Sequence, residues 1–135
     1  MDDAAVALPK KSSEIDNDFD QIAALRERFE RSLREAAEID LQLSRLDGTI
    51  CGTPHYSVIE GRAHEIGKRL SRTVQQRQMS ELAAQQGATA KCPACGTRCN
   101  VTATKRAVQS VDGMAELTES QGYCPGCRRA FFPTT

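Results

Sequence analysis

Residues 91–99, Lys91-Cys92-Pro93-Ala94-Cys95-Gly96-Thr97-Arg98-Cys99, and residues 123–133, Tyr123-Cys124-Pro125-Gly126-Cys127-Arg128-Arg129-Ala130-Phe131-Phe132-Pro133, decide the fold. Each holds a Cys-x-x-Cys step with a proline after the first cysteine. That step lets two sulfurs of one tight turn reach the same ion, and two such turns complete a tetrahedron. Cys92, Cys95, Cys124 and Cys127 are therefore the expected ligands of one structural Zn²⁺. The prolines preset φ early in each turn, and Gly96 or Gly126 can supply a positive φ where the chain wraps the metal. Iron in an electron carrier uses a similar ligand set. The ring-rich core usual around such iron is thin here, with only Tyr123, Phe131 and Phe132 nearby.

Twenty-eight residues separate the two turns, and they lean towards β-structure. Asp112-Gly113 is a two-residue turn signal, and folding there pairs Val111 with Met114, Val108 with Leu117, and Arg106 with Glu119. The expected module over 88–135 is a small four-cysteine zinc ribbon carrying a β-hairpin. It has so few large apolar residues that metal binding and folding should be one event. Cys99, four residues beyond Cys95, could compete as a ligand but reads first as a strand-start thiol near the site, and Cys51 as a structural thiol in a loop. His55 and His64 read as cap and surface residues.

Upstream the texture is helical. Ile15, Phe19, Ile22, Leu25, Phe29, Leu33, Ala36, Ile39, Leu43 and Leu46 recur at three- and four-residue steps, which marks one amphipathic stripe. Ser13 is the expected N-cap, and Asp16, Asp18 and Asp20 crowd the first turns where the helix dipole favours negative charge. Glycines and a proline break the pattern between Asp47 and Pro54. Ser57 to Glu60 then fits a capping box, and Ile59, Ala63, Ile66, Leu70 and Val74 resume helical spacing towards Gly87. Two such helices should fold back antiparallel, coiled-coil-like, stripe on stripe. One pair buries its faces incompletely, so a second copy or another domain is expected to cover the rest.

The expected class is thus α+β: a flexible leader (1–13), a two-helix antiparallel hairpin (14–87), then the ribbon (88–135). Aromatics at 4% and the absence of Trp argue against one large core over the 135 residues. Eighteen bases balance eighteen acids. Negative charge sits early, with ten acids and five bases over 14–47; positive charge sits late, with six bases and three acids over 88–135. The start lacks the basic-then-apolar order of a secretory signal, and no apolar run approaches the ~20 residues of a membrane span. The expectation is a cytoplasmic protein, where paired Cys-x-x-Cys steps point to metal rather than disulfides. Four sulfurs close the coordination sphere, and no nucleophile, phosphate loop or carboxylate set stands out, so neither an enzyme nor a small-molecule substrate is expected.

The order CPACG, an early basic stretch (Lys105, Arg106), a DG turn and YCPGCRRAFFP resembles the N-terminal zinc ribbon of ISKra-type bacterial insertion-sequence transposases. The helices are similar to that family's pre-ribbon segment more loosely. Those transposases carry an acidic-triad nuclease domain downstream, and this chain stops at Thr135, so strand cleavage is not implied. What the resemblance implies is recognition of element-end DNA through the ribbon and homo-oligomerisation through the helices. Arg98, Lys105, Arg106, Arg128 and Arg129 are then the implied DNA contacts, with a nucleoid-associated location. The alternative is a coiled-coil and zinc-ribbon adapter, a protein-interaction or transcription-associated regulator whose helices are the working surface.

Overall fold

Two long helices precede a four-stranded antiparallel sheet in a computed structural model that describes residues 11–133. The chain is α+β. Helix α1 spans Ser12–Leu46 and α2 spans Tyr56–Gln85; the strands are β1 (Thr89–Lys91), β2 (Arg98–Ser110), β3 (Gly113–Cys124) and β4 (Arg129–Phe131), in spatial order β1-β2-β3-β4. Two compact units divide the chain, Met1–Pro54 and His55–Thr135, so the expected boundary at residue 87 falls inside the second. Of the expected leader, residues 1–10 lie outside the described part.

Helix α1 starts two residues earlier than a Ser13 cap would have it. Lys11 is the N-cap, and its backbone N–H donates to Glu14 Oε2 at 3.0 Å. A carboxylate three residues into the helix thus satisfies an otherwise orphaned donor. The apolar stripe remains open to solvent: Phe19 is 66% exposed, Leu25 61% and Phe29 55%, and only Ser44 is buried in the helix.

Helix α2 also opens differently from the sequence expectation. His55 is its N-cap, and Nδ1 accepts from the Ser57 backbone N–H at 3.2 Å and meets Ser57 Oγ at 2.8 Å. The ring nitrogen does the work assigned to Ser57, which confirms His55 as a cap.

Within the second unit, α2 lies along β3. Ala115, Leu117 and, at its end, Cys124 are the buried apolar residues of that strand. The hairpin tip is tied to the helix: Ser71 Oγ donates to Asp112 Oδ2 at 2.5 Å, and an Arg72 guanidinium N–H donates to the Asp112 carbonyl at 2.6 Å. Further along, Ser120 Oγ reaches the Ala83 carbonyl at 3.5 Å.

The hairpin register is a correction. The turn closes at Ser110↔Gly113 with Val111 and Asp112 in the loop, giving Gln109↔Met114, Val108↔Ala115 and Arg106↔Leu117. Relative to an Asp112-Gly113 turn, each β2 residue meets a partner two positions earlier. The expected turn needs positive φ at both central residues. Here only Gly113 has it, at +106°, and it stands at the start of β3. Asp112 is instead held by α2, and Ser110 braces the turn by receiving the Asp112 N–H at 3.2 Å and donating to the Gly113 carbonyl at 2.7 Å.

Candidate metal centre

Each Cys-x-x-Cys step forms a tight turn beside a short strand. In the first, Gly96 N–H donates to the Cys92 carbonyl at 2.9 Å and Cys92 N–H to the Thr97 carbonyl at 2.8 Å, with Gly96 at φ +73°. In the second, the Cys127 N–H points at Cys124 Sγ, 3.4 Å away. Gly126 keeps an ordinary backbone, and the positive φ falls on Arg128 at +53°. Gly96 and Arg128 hold the same place, the residue after the second cysteine. The two turns are built alike, and only the first uses glycine there.

β1 and β4 close the site. Lys91 pairs with Arg98 across β1 and β2, and Cys124 with Arg129 across β3 and β4. Gly122 pairs with Phe131, whose ring lies so close that a Cβ on Gly122 would meet Cζ at 2.5 Å. This position admits no side chain because the ring covers the inner wall of the site, packed against the buried cysteines.

The four sulfurs of Cys92, Cys95, Cys124 and Cys127 lie within 4.8 Å of one another. Cys92 and Cys127 are 3.9 Å apart, and Cys95 and Cys124 3.5 Å. A tetrahedral ion with metal–sulfur bonds of about 2.3 Å would space its ligands about 3.8 Å apart. The cluster could therefore hold a metal ion with little movement. Cys124 and Cys92 are buried, Cys127 half-buried and Cys95 exposed.

Proton affinities within the cluster are strongly divided. The Thr97 hydroxyl, 3.1 Å from Cys95 Sγ, and the Thr97 backbone hold Cys95 down to about 6. The Cys127 backbone N–H lowers Cys124. Cys127, hydrogen-bonded to the sulfurs of Cys95 and Cys92, is pushed up to about 12 and keeps its proton longest. Burial raises Cys99, which packs with Cys92 and Cys124 and donates to the Thr97 carbonyl at 3.3 Å. Cys51 belongs to the first unit, where it donates to the Gly48 carbonyl at 3.0 Å.

The five basic candidates divide into two groups. Lys105 meets Glu116 at 3.7 Å. Arg106 grips Glu119 through Nε at 3.1 Å and a terminal nitrogen at 2.8 Å, and its guanidinium lies 5.2 Å from the Phe132 ring centroid. These two cations are engaged within the sheet, on the stretch of β2 that β1 leaves uncovered, where charge guards an open strand edge. The Arg106–Glu119 pair survives the changed register as a diagonal contact.

Arg98, Arg128 and Arg129 gather at the sulfur end instead. All three are exposed, and Arg98 donates to Thr89 Oγ1 at 2.8 Å. Lys91 joins them through its pairing with Arg98; it is visible in sequence but is placed here only by the β1–β2 register. Thr97 went unrecognised too, since no spacing rule marks a threonine two residues after a ligand.

The three carboxylates of residues 88–133 are Asp112 at the hairpin tip, Glu116 near it, and Glu119 at mid-strand opposite Thr104. Five steps along β3, about 17 Å, separate Glu119 from Cys124. Four cations and no strand carboxylate thus surround the sulfurs, against about two negative charges for four thiolates on a divalent ion. No helix among the described residues is long and apolar enough to cross a membrane. No protein-family model, no curated protein and no solved structure matches the chain.

Proposed function

We propose that this chain is a zinc-stapled nucleic-acid-binding and assembly module, with long helices for assembly and a zinc ribbon as its last third. The observation that carries the reading is the cationic sulfur end, where Lys91, Arg98, Arg128 and Arg129 stand together while the strand carboxylates are occupied elsewhere. Arg128 adds to it. A non-glycine residue at φ +53° is strained by roughly 1–2 kcal/mol, and the sister turn avoids that cost with Gly96. A guanidinium retained at such a position fits a phosphate contact at the tip of the turn.

Zinc is the assigned metal because four thiolates at tetrahedral spacing suit a soft, redox-silent divalent ion. The ion is structural, and four sulfurs leave no position for a substrate, so the module is not itself catalytic. The arrangement is in keeping with the front end of ISKra-type transposases, working in the cytoplasm at the nucleoid without membrane or small-molecule substrate. Lys105 and Arg106 contribute less to DNA contact than Arg98, Arg128 and Arg129, since Glu116 and Glu119 already neutralise them.

Duplex DNA binding measured against salt tests the reading. Log affinity should fall linearly with log salt, and replacing Arg128 and Arg129 with alanine should lower that slope by up to about 1.8, at roughly 0.9 per phosphate lost. Salt-independent binding, or none at low salt, would refute it.

The exposed stripe of α1 favours a second reading, an adapter whose helices bind protein while zinc braces the end. Recovery of a protein partner that persists after nuclease treatment, from a chain that does not bind purified duplex, would favour that alternative.

A further inference from the structure

A fifth thiol packs against the four-sulfur cluster. Cys99 is only 4% exposed and packs against Cys92 and Cys124, while Cys95 is the exposed ligand of the four. Both are tied to Thr97: its hydroxyl stands 3.1 Å from Cys95 Sγ, and its carbonyl receives the Cys99 S–H at 3.3 Å. Turning χ1 between staggered wells carries a cysteine sulfur about 3 Å, and the contact surrendered is a weak S–H···O bond.

We propose that Cys99 is a reserve metal ligand, which takes the coordination position of Cys95 when that exposed sulfur is lost. The proposal rests on the metal-centre reading. In the exchange the metal–Cys95 bond breaks, Cys99 releases its proton to solvent, and its thiolate forms the new metal–sulfur bond, so charge and ligand number are unchanged. Cys92, Cys124 and Cys127 stay in place. The asymmetry of exposure is what makes a reserve useful, because alkylating or oxidising electrophiles reach Cys95 first.

The test uses the full chain with Cys51→Ser, which removes the other exposed thiol, loaded with one Co²⁺ whose sulfur charge-transfer absorbance reports thiolate number. A parent that binds no Co²⁺ in this way refutes the metal reading itself. Given binding, Cys95→Ser should keep the four-thiolate absorbance, and Cys95→Ser with Cys99→Ser should lose about a quarter of it.

A second measurement avoids any folding defect of these variants. The loaded parent is alkylated at Cys95 with iodoacetamide, verified by mass, and its remaining metal is counted. The parent should retain the ion, whereas a Cys99→Ser protein at equal alkylation should release it. Identical spectra for the single and double variants, or equal metal loss from the two alkylated proteins, would overturn the proposal.

Discussion

Arg128 is the residue at which local strain and proposed function meet. Glycine relieves a positive φ without a steric cost, so Arg128→Gly should stabilise the metal-loaded protein by about 1 kcal/mol. Thermal melts would show the gain, while duplex binding at low salt should weaken. A variant that is less stable would mean that the arginine is held by packing and that the strain argument fails. Gly122 gives the opposite case. Gly122→Ala forces Phe131 off the site wall, at about 1–3 kcal/mol, with weakened metal retention against a chelator as the readout. The sulfurs make uptake depend on pH. Cys95, near 6, is already a thiolate at neutral pH, whereas Cys127, near 12, must release its proton to solvent when it takes the metal. Loading should therefore release fewer than four protons near neutrality. Apparent affinity should fall with pH, more steeply below about 6 where Cys95 too is protonated. A pH indicator and a competing chromophoric chelator measure both, and an affinity indifferent to pH would contradict the thiolate site.

Among the elements, what repeats or is spaced by covalent geometry could be read from the chain, and what depends on a neighbour could not. Two Cys-x-x-Cys steps brought the four sulfurs together as expected, and the stripe from Ile15 to Leu46 marked α1. The hairpin was legible but its register was not, because Asp112 answers to Ser71 and Arg72, forty residues upstream, rather than to the turn preference of its own dipeptide. Likewise, nothing in CPGCR announces that the positive φ falls on Arg128 rather than Gly126. The elements should also differ in their dependence on metal. With Cys99, Ala115, Leu117 and Cys124 forming most of the buried apolar surface in its strands, the sheet has little to hold it without an ion. Chelation should abolish amide-exchange protection over β2–β4 while the helical circular dichroism band is mostly retained. A sheet that stays protected after complete metal removal would show that apolar packing alone suffices.

At the scale of the whole molecule, the unsolved problem of this fold is apolar surface. α1 is 35 residues and therefore about 52 Å long, and its stripe carries side chains such as Phe19, Leu25, Phe29 and Leu43 that are more than half exposed. Soluble chains seldom leave a contiguous apolar strip of more than a few hundred Å² uncovered unless something binds there. A straight strip of that length is matched by another long helix. A second copy supplies one at no cost in specificity, since a two-fold interface uses the same surface twice. Pairing would also set two cationic sulfur ends on one assembly, so that each duplex contact raises the effective concentration of the next. Sedimentation of the metal-loaded chain should show a concentration-dependent dimer. Phe29→Glu, which places a charge in mid-stripe and touches no sulfur ligand, should yield a monomer with unchanged metal content and duplex affinity reduced at least tenfold. If the wild-type chain sediments as a monomer throughout the micromolar range, the stripe is left for a different protein, and the adapter reading gains what the self-assembly reading loses.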